Sequence, residues 1–421
     1  MVTSVPGLDG LSRAELVPVA FEHMLLGMIV TRSMLPQVVM KGGDLDLMNQ
    51  VAIEEWMGAS PNYTQRMRRL MGIDGDDVNA IIKALQLDVG FVHQYMDVAY
   101  KVTDELHAEF WLNHCGALLD AEPHGEDRVF GMCHTIEDPT FDATALATNP
   151  RARIRPIHRP PRTPTDRHPH CHWTLVIDPA NEPVGGIPLT GEVARLPLAG
   201  VPNEMPPDRE PGGMRDYRGP LDPGFQLADL SWGALVAAAR EFQVQAHLLI
   251  GATELALRTH FDVATAREII ANAWVGSGWL TSERLAAALG PIERDARGLA
   301  RVLSLQGALP PGFDRTVDLD GDEIRVELRP VLPGLLSVDH PGWNGILAAG
   351  DTRGLEAIAS GFDARARVHD VAVTPDNVTF RAGIDADAPP AREPDSVALT
   401  RIGMVSTWQF DTSDPLRVSP A

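Results

Sequence analysis

Most signatures that identify a familiar chemistry are missing from this chain. No Gly-x-Gly-x-x-Gly follows a strand and no Gly-x-x-x-x-Gly-Lys phosphate loop occurs; a His-Glu-x-x-His helix and a Gly-x-Ser-x-Gly elbow are absent too. Nucleotide-dependent and common hydrolase mechanisms lose support, because each needs those residues at that spacing. Met1 to Leu16 carries no basic stretch followed by an apolar core, so no secretory signal is visible. The longest apolar run near the start, Met24 to Val30, is too short to span a bilayer. Positive charge is in deficit: 36 Lys and Arg against 57 Asp and Glu leave a formal charge of −21. Such a field repels polyanions and argues against nucleic-acid or anionic-membrane partners. Cysteine is scarce as well, and three thiols cannot all pair within one monomer. A reducing cytoplasm is the expected location.

What is present looks like an ordinary globular protein, 44% hydrophobic and 22% charged over 421 residues, enough for two or three domains. Apolar residues at helical spacing through Val17, Phe21, Met24, Leu25 and Met28 make residues 11–103 mostly helical. From Glu109 the period shifts towards two. Strands are expected at 109–115, 128–134, 151–158 and 171–177, the first two forming a hairpin around Pro123–His124. Residues 179–224, rich in Pro and Gly, form a connection. Helices at 227–258, 264–274 and 282–305 then precede strands at 324–328, 365–373 and 378–384.

Two phrases recur. Asp363-Ala-Arg-Ala-Arg-Val-His369 echoes Asn149-Pro-Arg-Ala-Arg-Ile-Arg155, and Thr379–Asp385 echoes His172–Asp178. The expected fold is α+β: two tandem units, each a helical segment followed by a small antiparallel sheet, with an internal duplication suggested. The units would be 1–178, which carries the chemistry, and 225–388, which has no cysteine. Residues 389–421 would be a tail.

Every cysteine has a histidine beside it, in His114-Cys115, Cys133-His134 and His170-Cys171-His172, and seven of the fourteen histidines lie in the same stretch. Thiolate and imidazole are the side chains that hold zinc, iron and copper tightly near neutral pH. In the expected hairpin, Cys115 falls opposite Met132 or Cys133, and Cys171 opens the last strand. The expected metal ligands are therefore Cys115, Cys133, His134 and Cys171, around zinc or iron. Unliganded core cysteines are the plainer alternative. Arg153 and Arg155, on one strand face, and Arg159 are expected to hold an anionic substrate; an arginine-rich loop paired with surface acids is the alternative. Glu137 is a candidate general base, as is Asp138 unless it caps the following turn. His93, four residues before Asp97, would join the same cleft or be a core histidine bonded to a nearby acid.

The order of helical bundle, cysteine-bearing hairpin, Arg-containing strand and cysteine at the last strand (Cys115, Cys133, Cys171) resembles the vinyl-reductase-like ligand-binding domains. It also resembles the related L-2-amino-thiazoline-4-carboxylate hydrolase-like proteins. The resemblance covers about residues 15–178. It implies a small-molecule pocket between helices and sheet, with the cysteines near a metal or the substrate. The many histidines and the second half depart from that pattern. The expected function is a metal-dependent hydrolase acting on a small carboxylate-bearing molecule. The alternatives are an iron-dependent oxidoreductase using the same ligands and a non-catalytic, zinc-stabilised binding protein.

Overall fold

The computed structural model describes residues 2–410. After a two-residue strand, β1 (Thr3–Ser4), come two long helices, α1 (Arg13–Met40) and α2 (Leu45–Met71), then α3 (Val78–Leu85) and α4 (His93–Met96). A hairpin of β2 (Val98–Val102) and β3 (His107–Leu112) leads to three short helices, α5 (Gly116–Ala121), α6 (Glu126–Phe130) and α7 (Glu137–Leu146). A second hairpin, β4 (Ala152–His158) and β5 (Cys171–Ile177), completes the first unit. The connection carries one helix, α8 (Pro188–Ala194). The second unit runs through α9 (Trp232–His260), α10 (Val263–Ala288) and α11 (Ala296–Leu305) to β6 (Phe313–Asp320) and β7 (Glu323–Pro330). It ends with α12 (Trp343–Ala348), α13 (Arg353–Phe362), β8 (Ala366–Thr374), β9 (Asn377–Ile384) and α14 (Asp395–Arg401).

The fold class is α+β, as expected, with two antiparallel sheets ordered β2-β3-β5-β4 and β1-β6-β7-β9-β8. Leaving β1 aside, both sheets place their own strands first, second, fourth, third. The echoed phrases occupy matching places: Ala152 pairs with Ile177 in one sheet and Ala366 with Ile384 in the other. The same turn opens both third strands. Asn149 Oδ1 accepts from Arg151 N at 2.9 Å, and Asp363 Oδ1 accepts from Arg365 N at 2.8 Å.

The two units are not separate cores. Helix α1 starts at a capping box, with Ser12 N donating to Glu15 Oε2 (2.9 Å) and Glu15 N donating to Ser12 Oγ (3.3 Å). Apolar all round, it packs against α2, α9 and α10, and one hydrophobic cluster runs from Leu8 to Val405. Strand β1, at the start of the chain, pairs with β6 of the second unit. The 179–224 connection is irregular apart from α8 and one 3-10 turn, but it is pinned: Arg66 donates to the carbonyls of Ala199 and Val201 while forking onto Glu241. The expected tail is only partly one, since α14 packs on α10 and α1, and its last residues, 411–421, lie outside the described residues.

Two local expectations fail. Residues 128–134 are helical rather than a strand, divided between α6 and a π-helical turn, Gly131–Ile136. The hairpin that was to align Cys115 with Cys133 therefore does not form. The first hairpin partner of β3 is instead β2, whose Val98-Ala-Tyr-Lys-Val102 reads as the end of a helix in sequence.

The Arg66–Glu241 pair tests the pinned connection. Its side chains are 9% and 1% exposed, so removing one charge strands the other in a desolvated site. Glu241→Gln should cost about 3 kcal/mol or more in urea unfolding, while Arg329→Ala at an exposed pair should change stability by less than about 0.5 kcal/mol. Equal effects would mean that the connection is not anchored there.

Candidate functional site

The first unit forms a half-open cavity of about 180 Å³ between α1, α2, the inner face of the sheet and α5–α7. An apolar cavity of about 150 Å³ accommodates benzene, so this one suits a molecule somewhat larger than benzene. Its walls are largely apolar and aromatic: Trp56, Phe91, Phe141 and Trp173, with Met28 and Met132. Sheet register explains the inner face. Phe110 pairs with Trp173 and Leu112 with Cys171, and alternation turns all four inward. Gly90 permits a close approach, because a Cβ there would lie 2.3 Å from the Trp56 ring.

All three cysteines are free and buried, reached by different routes. Cys171 opens β5 on the inner face, as expected. Cys115 lies beyond the end of β3, where its Sγ caps α5 by accepting from Leu118 N at 3.3 Å. Cys133 sits in the π-helical turn, a rare conformation frequent at functional sites. Burial pushes the Cys115 thiol up to about 12 and the other two well above the ordinary range. Glu137 lies within electrostatic reach of each thiol, and the three thiols lie within reach of one another.

Glu137 lines the cavity as the first residue of α7. Its Oε2 is buried without a hydrogen-bond partner, and burial pushes the carboxyl up to about 8, against the pull of Arg159. At neutral pH it therefore holds a proton. Asp138, by contrast, points outward into an ion pair with Arg159 (2.6 Å). His93 is a core histidine: Nδ1 donates to Phe91 O (2.8 Å) and Nε2 accepts from Tyr100 Oη (2.7 Å), with burial holding it down near about 4. Its helix ends at Met96, so Asp97 does not share its face.

His134, expected as a metal ligand, donates through Nε2 to Pro160 O (2.7 Å) and stacks on Phe130. His114, His168 and His170 gather nearby, with ring centroids 5.8 and 5.2 Å apart. Among the described residues no group of three or more His, Cys, Asp or Glu side chains is arranged to hold a metal ion.

The expected arginine anchor is not where strand alternation was to place it. Arg153 and Arg155 do share a face of β4, but it is the outer one, since Ala152 and Ile154 face the core. Arg155 forks onto Asp142 (2.8 Å to each oxygen), and Arg153 donates to the carbonyls of Pro150, Ala152 and Glu182. Only Arg159 reaches the rim, its guanidinium 5.9 Å from the Trp173 ring centre.

The cavity has its own cations, which the strand reading of 128–134 concealed. Arg32 is tied to Asp120, which also accepts from Tyr95 Oη (2.9 Å) and from Met404 N. Arg128 has no ion pair among the described residues, and its Nη1 is buried without a hydrogen-bond partner. Read as a helix, the segment would have shown Arg128, Met132 and Ile136 recurring at intervals of four, all on the cavity wall. Comparison with protein-family models, characterised proteins and solved structures gives no match.

The buried state of Glu137 has a measurable sign. Its carboxyl binds a proton in the folded state up to about pH 8, but only to its ordinary value of 4.5 when unfolded. Stability should fall as pH rises between those values and level off above them. Glu137→Gln should therefore stabilise the protein at pH 7, by up to about 3 kcal/mol, and have little effect at pH 4.5. An equal effect at both pH values in urea unfolding would place the carboxyl in water.

The thiols offer a second test. Buried and protonated, none of the three should react with an aromatic disulfide reagent in the folded protein, and all three should react in denaturant.

Proposed function

We propose that this chain binds a small, mainly apolar molecule carrying one anionic group in the cavity of the first unit, with Arg128 as its anchor. The observation that carries this reading is the Arg128 guanidinium on the cavity wall, whose Nη1 is buried without a hydrogen-bond partner and which forms no ion pair among the described residues. A charge held away from water without a partner costs free energy, and an incoming carboxylate removes that cost. An acidic protein needs such a local positive site to attract an anion at all. Glu137, neutral at pH 7, offers a proton to whatever lies against it. In this reading the second unit is a duplicated copy that serves as scaffold, Val378 standing where Cys171 stands. Three unpaired thiols suit a reducing cytoplasm.

A second reading, metal-dependent hydrolysis, draws on the gathering of Cys115, Cys133, Cys171 and Glu137. Zinc or iron held there would need these side chains to shift, because among the described residues they are not arranged around a shared ion position. Iron would bring the oxidoreductase alternative with it. Elemental analysis of protein purified without a histidine tag separates the two readings. Stoichiometric metal that is lost in Cys133→Ser supports the second; metal-free protein that still binds the anion removes it.

For the anchor, calorimetry with benzoate and with alkanoates of five to nine carbons is the direct test. Arg128→Gln should weaken binding about ten-fold or more, and Arg155→Ala, on the outer face, should leave it unchanged. Equal affinities in both variants would overturn the role given to Arg128.

A further inference from the structure

Asp88 and Tyr63 form a second polar spot in the same cavity, on a different wall from Arg128. Asp88 lies in the connection between α3 and α4 and is 4% exposed. Its Oδ1 accepts from Tyr63 Oη (2.9 Å) and from Gly90 N (2.7 Å). Among the described residues no lysine, arginine or histidine pairs with it. Behind Tyr63, Glu55 is fully buried; its Oε1 accepts from Thr31 Oγ1 (3.0 Å), and its Oε2 has no hydrogen-bond partner. This wall therefore holds two buried acids and no base. The charged neighbours of Arg128 are Arg32, Asp120 and the Cys133 thiol, and Asp88 is not among them. The one acid among them, Asp120, is already engaged by Arg32, Tyr95 Oη and Met404 N, so one cavity carries an acid with no ion-pair partner and a cation with no ion-pair partner among the described residues, and the two do not pair with each other.

We propose that the ligand is bifunctional: an anionic group at Arg128, an apolar middle, and an ammonium or other hydrogen-bond-donating group at Asp88. This rests on the reading of Arg128 as the anchor and adds the chemistry of the opposite end. A carboxylate that accepts only two hydrogen bonds, both on one oxygen, has capacity for a donor on the other. A cation there also relieves the burial of that charge, so the two ends of the ligand each complete a group that the protein leaves open. The apolar walls between them select against a short, fully hydrated zwitterion.

The experiment uses the full chain and three sets of probes: ω-aminoalkanoates of four to eight carbons, alkanoates in which a methyl replaces the ammonium, and the matching alkylamines. At the chain length that spans the cavity, the amino acid should bind ten-fold or more tightly than its methyl analogue. Asp88→Asn keeps an acceptor for Tyr63 and Gly90; it should abolish that preference while leaving the alkanoate affinity unchanged. The alkylamine should bind weakly, lose that binding in Asp88→Asn and keep it in Arg128→Gln. If the wild-type protein binds amino acid and alkanoate equally at every length, or if the preference survives in Asp88→Asn, the bifunctional ligand is overturned while the anchor reading stands. Alkylamine binding without alkanoate binding would overturn the anchor reading instead, and no binding of any probe would overturn both. The wild-type comparison does not depend on either variant folding.

Discussion

Helix α1 has no solvent face to give up, and much of the structure follows from that. By length and composition it is apolar enough to cross a membrane, yet 78% of its most apolar window is buried inside the protein. Its neighbours are α2 from its own unit and α9 and α10 from the other. Both halves of the chain therefore fold onto one shared helix, and neither closes its core alone. The same helix supplies Met28, Thr31, Arg32 and Leu35 to the cavity wall. Arg32 is held by Asp120, and Asp120 by the backbone of Met404 near the end of the described chain. The cavity is thus braced from both ends of the sequence.

Desolvation is the strongest electrostatic effect inside that cavity, and it acts in one direction. It drives Cys115 to about 12, Glu137 to about 8 and Asp88 to about 6, each towards its uncharged form. A guanidinium is the exception, because it cannot lose its proton under ordinary conditions. Burial can neutralise the thiols and carboxyls, but it leaves Arg128 charged. Where it does find opposition, as with Arg32 and Asp120 or Arg155 and Asp142, the charge is spent within the protein. Arg128 forms no ion pair among the described residues, and Asp120, the one acid acting on it, is engaged by Arg32.

Much of the fold was legible in the residues. The strands 151–158 and 171–177 were expected to within a residue of β4 and β5, because alternation there is uninterrupted and the ends carry turn residues. The echoed phrases pointed to matching strand positions, since a repeated turn residue and a repeated register leave the same pattern in sequence. The site was legible only in outline. The first unit, 1–178, does hold the thiols and Glu137. The residues that make the cavity polar, Arg128, Arg32, Asp120 and Asp88, come from three helices and a connection that no local pattern links.

Residues 128–134 show why. Their short apolar alternation fits a strand as well as a helix, and periodicity alone cannot separate the two over seven residues. Packing against α2 decided it: a Cβ on Gly131 would lie 2.6 Å from Asn49 Nδ2, a closeness that a helical turn with glycine allows. By itself the sequence determined the α+β class and the places of β4 and β5, since each depends on local period. Only the tertiary structure decided which charges found partners. Arg155 met Asp142 on the outer face, and Arg128 was left on the cavity wall without an ion pair among the described residues, because ion pairing depends on distance in space and not along the chain.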